Sequence, residues 1–377
     1  MKAGLCLNVN KCNYMKESYA EMKSFLLLII NPGSTSTKLA VFRDREPVYS
    51  ETLRHGGEDL GKFKGIIDQF EYRRKLVTGA MLKSGVKPGD LDAVVGRGGL
   101  LEPLPGGTYL VNEAMVRDLE AEKRGSHASN LGGLIAHSIA GELGIPAYIV
   151  DPVCIDEKEP LSRISGMPEN PRESLFHALN QKAVARRAAA DIGKDYNESN
   201  LIVAHLGGGI SVGAHSKGRV IDVNNALAGE GPFAPERSGG LPVGKLVEMC
   251  FSGRFTREDM MKKLVGKGGL MAYLGTSDAL EVERRVEEGD GRASLIYEAM
   301  AYQVAKEIGA CGAVLKGDVD AVVITGGIAH SGMLVGWIEE RVRFIAPVRI
   351  YPGENEMEAL AASGLRVLAG LEAAKIY

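Results

Sequence analysis

Two arginines set among glycines, Arg97 in VVGRGGLL and Arg237 in PERSGG, are the first residues whose setting could do chemistry. Each lies near the end of a predicted strand, where a long side chain can reach into a cleft. A guanidinium is a planar fork that binds a carboxylate or phosphate through two parallel hydrogen bonds. Two such forks could clamp two anions brought together for reaction. The competing reading is a surface arginine, which is what most of the 45 Lys and Arg are.

Turns rich in Gly and Ser offer a second kind of anion contact. FLLLIINPGSTSTKLAVFRDREPVYSETL (Phe25 to Leu53) and LIVAHLGGGISVGAHSKGRVIDVNNAL (Leu201 to Leu227) share one layout. In each, an apolar run enters a tight turn, a second strand follows (Lys38 to Phe42; Ile210 to His215), and a charged turn leads to a third strand. Gly33 and Gly207 occupy equivalent positions. The tip of such a hairpin exposes successive backbone N–H groups, which can form an anion-binding nest. Asn31, Ser34, Ser36 and Lys38 form the first tip, where hydroxyls and backbone N–H groups could hold a phosphate and Lys38 adds charge if it points inward. In the second, Gly207, Gly208 and Gly209 supply backbone alone. Any two β-hairpins look alike, but recurrence once in each half of the chain favours a duplicated domain.

A third glycine turn, Gly326 and Gly327 in DAVVITGGIAHSG, ends a predicted strand from Ala321 to Thr325, where α/β proteins place nucleotides. Neither a GxxxxGK[ST] loop nor a GxGxxG after a strand occurs, so P-loop kinases, protein kinases and Rossmann dehydrogenases lose their main support. Asp151 ends the strand Ala147 to Val150; a carboxylate there can bind Mg2+ through water or orient an arginine, or simply open an Asp-Pro turn. His177, in SLFHALNQ, stands at the start of a predicted helix; a lone histidine is more often structural than catalytic.

Helices are predicted over Gly132 to Leu143, Ala183 to Asp191, Gly244 to Phe251 and Ser294 to Val314, so strands and helices alternate in both halves. A chain of 377 residues points to two domains. Its net charge of -3 gives no basic field for nucleic acid or anionic lipid. Five cysteines without CxxC spacing read as free thiols in a reducing cytoplasm. The run Phe25 to Ile30 is too short to cross a membrane. Residues 1–24 are set apart as an N-terminal extension.

The motifs carry a resemblance. NPGSTSTK is similar to the opening of acetate kinases and their relatives, AHLGGGISV to their second phosphate motif, and ERSGGLP to their arginine segment. SLFHALNQKAVARRAA is closer to the butyrate kinase branch of that family. Three departures from acetate kinase agree with this branch: Gly208 in place of Asn, Ala178-Leu179-Asn180 after the histidine, and Ile328-Ala329-His330 after Gly327. The wider resemblance is to the actin, Hsp70 and sugar-kinase superfamily.

The resemblance implies roles residue by residue. Arg97 and Arg237 clamp the substrate carboxyl and the transferring phosphoryl group, and His177 donates a hydrogen bond to the γ-phosphate. Asn31 and Asp151 belong to the catalytic set. His127, in GSHASNLG, shapes the acyl site, and His205, in VAHLGGG, supports the second phosphate loop. Glu356, in ENEMEALA, is associated with magnesium, with Glu358 as the alternative after a short slip. Gly207 to Gly209 face the β-phosphate, and Gly326 and Gly327 lie beneath the nucleotide.

The expected fold is therefore α/β, two duplicated ribonuclease-H-like (actin-like ATPase) domains with ATP and Mg2+ in the cleft between them. The first comprises residues 25–153 with about 356–377, the second 154–355. The expected activity moves a phosphoryl group between ATP/ADP and a short-chain fatty acid, butyrate first, as its acyl phosphate. Acetate, propionate and isobutyrate remain alternatives, and a sugar kinase or conformational ATPase is more remote. HLGGGIS lacks the aspartate base a sugar kinase would place there, and a carboxylate needs no such base at neutral pH. The family implies a cytoplasmic homodimer or larger homo-oligomer.

Overall fold

The computed structural model describes residues 23–377; Cys6, Cys12 and nearly all of the predicted extension 1–24 lie outside the described residues. The chain divides into two compact units, one built from the residues up to Glu102 with Gly107–Pro152 and Glu356–Tyr377, the other from Pro103–Gly106 with Val153–Asn355.

The first unit contains β1 (Leu26–Pro32), β2 (Ser36–Arg43), β3 (Glu46–Arg54), β4 (Ala93–Arg97), β5 (Thr108–Leu110) and β6 (Ala147–Val150). Its sheet runs Lys375–Ile376, β5, β6, β4, β1, β2, β3. β1 is buried along its whole length, which is why LLLIINP is a continuous apolar run until its last residues. β3, at the edge, is exposed or half-exposed throughout. Helices α1 (Phe70–Lys83), α2 (Asn130–Leu143) and a C-terminal helix, Glu356–Leu368, pack on the sheet. The last approaches closely because Gly364 has no side chain: a Cβ there would stand 2.7 Å from Val95 and 2.8 Å from Leu27.

The second unit contains β7 (Asn200–Leu206), β8 (Ile210–Ser216), β9 (Arg219–Val223), β10 (Ala321–Gly326) and β11 (Val348–Pro352), in the order β11, β10, β7, β8, β9. The helices that matter for the argument are α3 (Ala178–Asp191) and the long α4 (Gly291–Val314). The core of this unit is formed by α4, through Tyr297, Met300, Ala301, Val304 and Ile308, against Ile202, Val212 and Ile324 of the sheet.

The two sheets repeat one connectivity. β1 pairs antiparallel with β2 and parallel with β4; β7 pairs antiparallel with β8 and parallel with β10. Even the irregularity recurs, since β2 shifts register at Val41/Phe42 and β8 at Ala214/His215. The duplicated α/β organisation expected from the hairpins is present. The helix expected from Ala183 instead begins at Ala178, because Asn180, Gln181 and Lys182, polar on paper, are buried beside Leu179 at its start. Elsewhere the expected helices and strands differ from the observed ones only by a few terminal residues. Among the described residues no helix is long and apolar enough to cross a membrane.

Candidate active site

In the first unit, β1 and β4 run parallel with Ile30 beside Gly96, so Asn31 and Arg97 emerge one residue further on, at neighbouring strand ends. Arg97 is held there by backbone packing: a Cβ on Gly96 would stand 2.2 Å from Gly132 O, and one on Gly132 would stand 2.3 Å from Arg97 O. The glycines around VVGRGG and in α2 thus let strand and helix touch. Arg97 Nη1 donates to Glu356 Oε2 at 3.1 Å and Nη2 lies 3.1 Å from Oε1, while Asn31 Nδ2 donates to the same Oε2 at 2.7 Å. Arg97 also reaches Asn31 Oδ1 at 3.3 Å. Three of the expected residues therefore meet, with Glu356 bridging the arginine and the asparagine.

Burial, aided by the nearby Arg97 charge, holds the His127 imidazole below its usual range; its Nδ1 pairs with Ser129 Oγ at 2.7 Å. Asp151 is buried and adopts a left-handed φ of 37°. Its Oδ1 accepts from the Gly107 amide at 2.7 Å. Glu358 is exposed.

At the first hairpin tip the Gly33 amide donates to Ser36 O at 2.7 Å. Ser34 and Lys38 are exposed and Ser36 is half-buried. Beneath the tip lies a residue the sequence did not single out. Arg73, on α1, is fully buried and directs its guanidinium at the carbonyl oxygens of Gly33 (2.7 Å), Ser36 (3.2 Å) and Ser34 (3.0 Å), with Thr37 Oγ1 at 3.2 Å. Gln69 Oε1 takes the remaining donors at 3.0 and 2.8 Å. Every acceptor is neutral, and burial lowers the guanidinium's pKa without removing its charge. A cation thus sits under the tip and turns its carbonyls inward, leaving the outer side to N–H and hydroxyl groups. The signal was available: Arg73 shares the buried face of its helix with Val77, Ala80 and Met81, an odd place for an arginine.

In the second unit the tip Gly207 to Gly209 is closed by the Gly207 amide donating to Gly209 O at 3.1 Å. Arg237 packs directly on it: a Cβ on Gly209 would stand 1.9 Å from Arg237 Nη1. Nη1 donates to Ala226 O at 2.5 Å, and buried Nε has no hydrogen-bond partner among the described residues. Its charge is desolvated, and Glu236 partly offsets this. Gly326, at φ 93°, brings the third glycine turn against the second, since a Cβ there would stand 2.3 Å from Leu206 O. Gly208 and Gly327 are exposed, open to approach.

His177 is the N-cap of α3 and stacks on His205, ring centroids 3.9 Å apart and planes 13° from parallel. His205 Nδ1 bonds Asn180 Oδ1 at 2.7 Å, and Asn180 Nδ2 donates to Glu354 O at 2.7 Å. Arg237, His205, His177 and the glycine turns are thus features of the second unit, and Asn31, Arg97, His127, Asp151 and Glu356 of the first.

The arrangement can bind anions in both units: a glycine or serine tip backed by an arginine, fully buried Arg73 in one and half-buried Arg237 in the other. Mg2+ carried on nucleotide phosphates asks only one or two carboxylates of a protein, and Asp151 and Glu356 are the two acids this set provides. Among the described residues there is no group of three or more His, Cys, Asp or Glu able to cage a metal alone. The donor set therefore fits a metal that arrives with phosphates.

Residues 171–351 match the model of the Acetokinase family. The match contains His177, His205, the Gly207–Gly209 tip, Arg237 and Gly326–Gly327. The fold is that of acetate kinase from Porphyromonas gingivalis (TM-score 0.73, 18% identity, 90% of this chain and 99% of that one). Propionate kinase from Francisella tularensis subsp. tularensis SCHU S4 (TM-score 0.68, 19%, 90% and 98%) and acetate kinase from Entamoeba histolytica (0.70, 18%, 89% and 97%) share it.

Proposed function

We propose that the whole chain is an acetokinase-family carboxylate kinase, transferring a phosphoryl group reversibly between ATP and a short-chain fatty acid, with butyrate the preferred acid. The observation that carries this reading is Arg237. A desolvated guanidinium with an unpartnered Nε lies on a glycine tip, within the family segment, and makes no ion pair among the described residues. Such a group is completed by an anion, and the exposed backbone of Gly208 beside it favours a phosphate.

Phosphoryl transfer to a carboxylate brings two anions together, so the work is positioning and neutralisation. In this reading Arg97 takes the substrate carboxyl as a fork and Asn31 orients it. Arg237 and His177 stabilise the equatorial oxygens of the transferring group. The first tip, charged from beneath by Arg73, receives phosphate through Ser34 and Ser36. The second tip holds the β-phosphate, and Gly326 and Gly327 let the nucleotide approach the backbone. Mg2+, held through Asp151 and Glu356, would supply charge neutralisation on the phosphates. His127 lines the acyl side. No general base is needed, because the acid is ionised at neutral pH.

The butyrate preference rests on the resemblance of SLFHALNQ and its neighbours to that branch. Each further methylene buried contributes about 0.8 kcal/mol, so a slightly deeper apolar pocket separates butyrate from acetate. We read the enzyme as a cytoplasmic homo-oligomer on the same ground. Trapping the acyl phosphate with hydroxylamine, over unbranched and branched acids from acetate upward, tests both levels. Hydroxamate should peak at butyrate. A peak at acetate or propionate removes the butyrate assignment, and no hydroxamate from any acid removes the kinase reading.

A further inference from the structure

Ser211, Gly213 and His215 alternate along β8 and so project from one face. The carboxamide of Gln181, from the first turn of α3, lies across that face over Gly213, where a Cβ would stand 2.6 Å from Gln181 Oε1. Gln181 Nε2 donates to Ser211 O at 3.0 Å and to Ser211 Oγ at 2.8 Å. A carbonyl oxygen can only accept, so the orientation of the amide is fixed and Oε1 faces His215 Nε2, 3.0 Å away. That oxygen also only accepts. His215 therefore carries its proton on Nε2, and its Nδ1 receives the Tyr196 hydroxyl at 2.9 Å. Burial, with Lys182 and Arg186 nearby, keeps His215 neutral as this pattern requires.

The consequence reaches the candidate catalytic histidine. Ser211 Oγ accepts from Gln181 and, at 3.5 Å, from the His177 amide. Its own proton is left for His177 Nδ1, 2.9 Å away. A neutral imidazole that accepts at Nδ1 is protonated at Nε2. The neighbouring ring is set the other way: Asn180 donates to Glu354 O, so its Oδ1 must accept the proton of His205 Nδ1.

We infer that Ser211 and Gln181 are positioning residues that hold His177 as the Nε2–H tautomer, so that it presents a fixed N–H donor to the transferring phosphoryl group, while its stacked partner His205 is held as the Nδ1–H tautomer. The last step, donation to phosphoryl, rests on the kinase reading; the tautomers do not. Ser211 and Gln181 are fully buried, so each acts through His177.

Two-bond 1H–15N spectra of the full-length protein, labelled at its seven histidines, read both tautomers at neutral pH without any substitution. The expected result is pyridine-type Nδ1 and pyrrole-type Nε2 for His177, and the reverse for His205. Ser211→Ala should move the His177 Nδ1 resonance to that of an unbonded ring nitrogen and lower kcat about tenfold, with both KM values within about twofold; Ser211→Thr should restore both. Wild-type His177 protonated at Nδ1, or a Ser211→Ala protein with unmoved resonance and turnover, would overturn the inference. The stated tautomers in a protein inactive on every acid would overturn the kinase reading and support the positioning.

Discussion

Arg97 and Glu356 meet fork to fork, each nitrogen of the guanidinium about one hydrogen bond from one oxygen of the carboxylate, at 3.1 Å in both arms. This is the geometry by which an arginine recognises a carboxylic acid substrate. The protein's own glutamate thus occupies the fork proposed for the substrate, and the two must part, or share, when an acid binds.

Glu356→Gln keeps the shape and removes the charge. It should destabilise the protein by about 2 kcal/mol, since Arg97 is largely shielded from water. KM for the acid should fall as the fork is released, and kcat should fall because a proposed metal carboxylate is lost. Urea denaturation and steady-state kinetics with varied Mg2+ check both. Arg97→Ala should instead raise KM for the acid and reduce kcat/KM on the order of a hundredfold.

Arg73→Met should be costlier than any surface arginine change, because it strands the carbonyls of Gly33, Ser34 and Ser36 around an apolar side chain. A loss of at least about 3 kcal/mol in unfolding free energy is expected. Arg73→Lys should recover part of it and weaken ATP binding less. Calorimetric titration of ATP and of adenosine should show the deficit confined to the phosphate-bearing ligand.

A single methyl group at Gly209 should do much of what deleting Arg237 does. Its Cβ would stand 1.9 Å from Arg237 Nη1, forcing the guanidinium off the tip. Gly209→Ala and Arg237→Ala should each lower kcat about 100-fold, and the double variant should cost little more than either alone. Additive losses would show that the two residues act separately.

Stability should fall with acid in a way traceable to His55. Burial, aided by the Arg73 charge, lowers its imidazole to about 4. The unfolded state, with a pKa near 6.5, takes up the proton first, so the contribution is complete above about pH 6.5 and disappears as pH falls toward about 4. Urea midpoints measured from about pH 7 to about pH 4.5 should decline less steeply for His55→Gln than for the wild-type protein.

The hairpins were legible because a tight Gly and Ser turn between apolar runs has few other meanings, and because the pattern occurs twice. The grouping of Asn31 with Arg97 was not, since it follows from β4 lying beside β1, a pairing between segments 66 residues apart. Arg73 sits next to Arg74 in FEYRRKLV, and only the helical phase separates the buried one from its half-exposed neighbour. The early start of α3 was hidden because Asn180, Gln181 and Lys182 are polar residues whose burial is satisfied by partners on other elements. Lys182, for instance, is matched by Glu157 at 2.8 Å.

The first unit is completed by the chain's final stretch: Glu356–Leu368 packs on β1 and β4, and Lys375–Ile376 pairs with β5. On a ribosome, the first-unit segments up to Pro152 therefore wait while Val153–Asn355, nearly all of the second unit, is synthesised in one stretch. The Arg97–Glu356 contact, spanning 259 residues, can form only after the second unit has been made. A stop just before Glu356 would release a protein whose second unit is finished and whose first unit has an uncovered sheet, a natural substrate for chaperones and proteases.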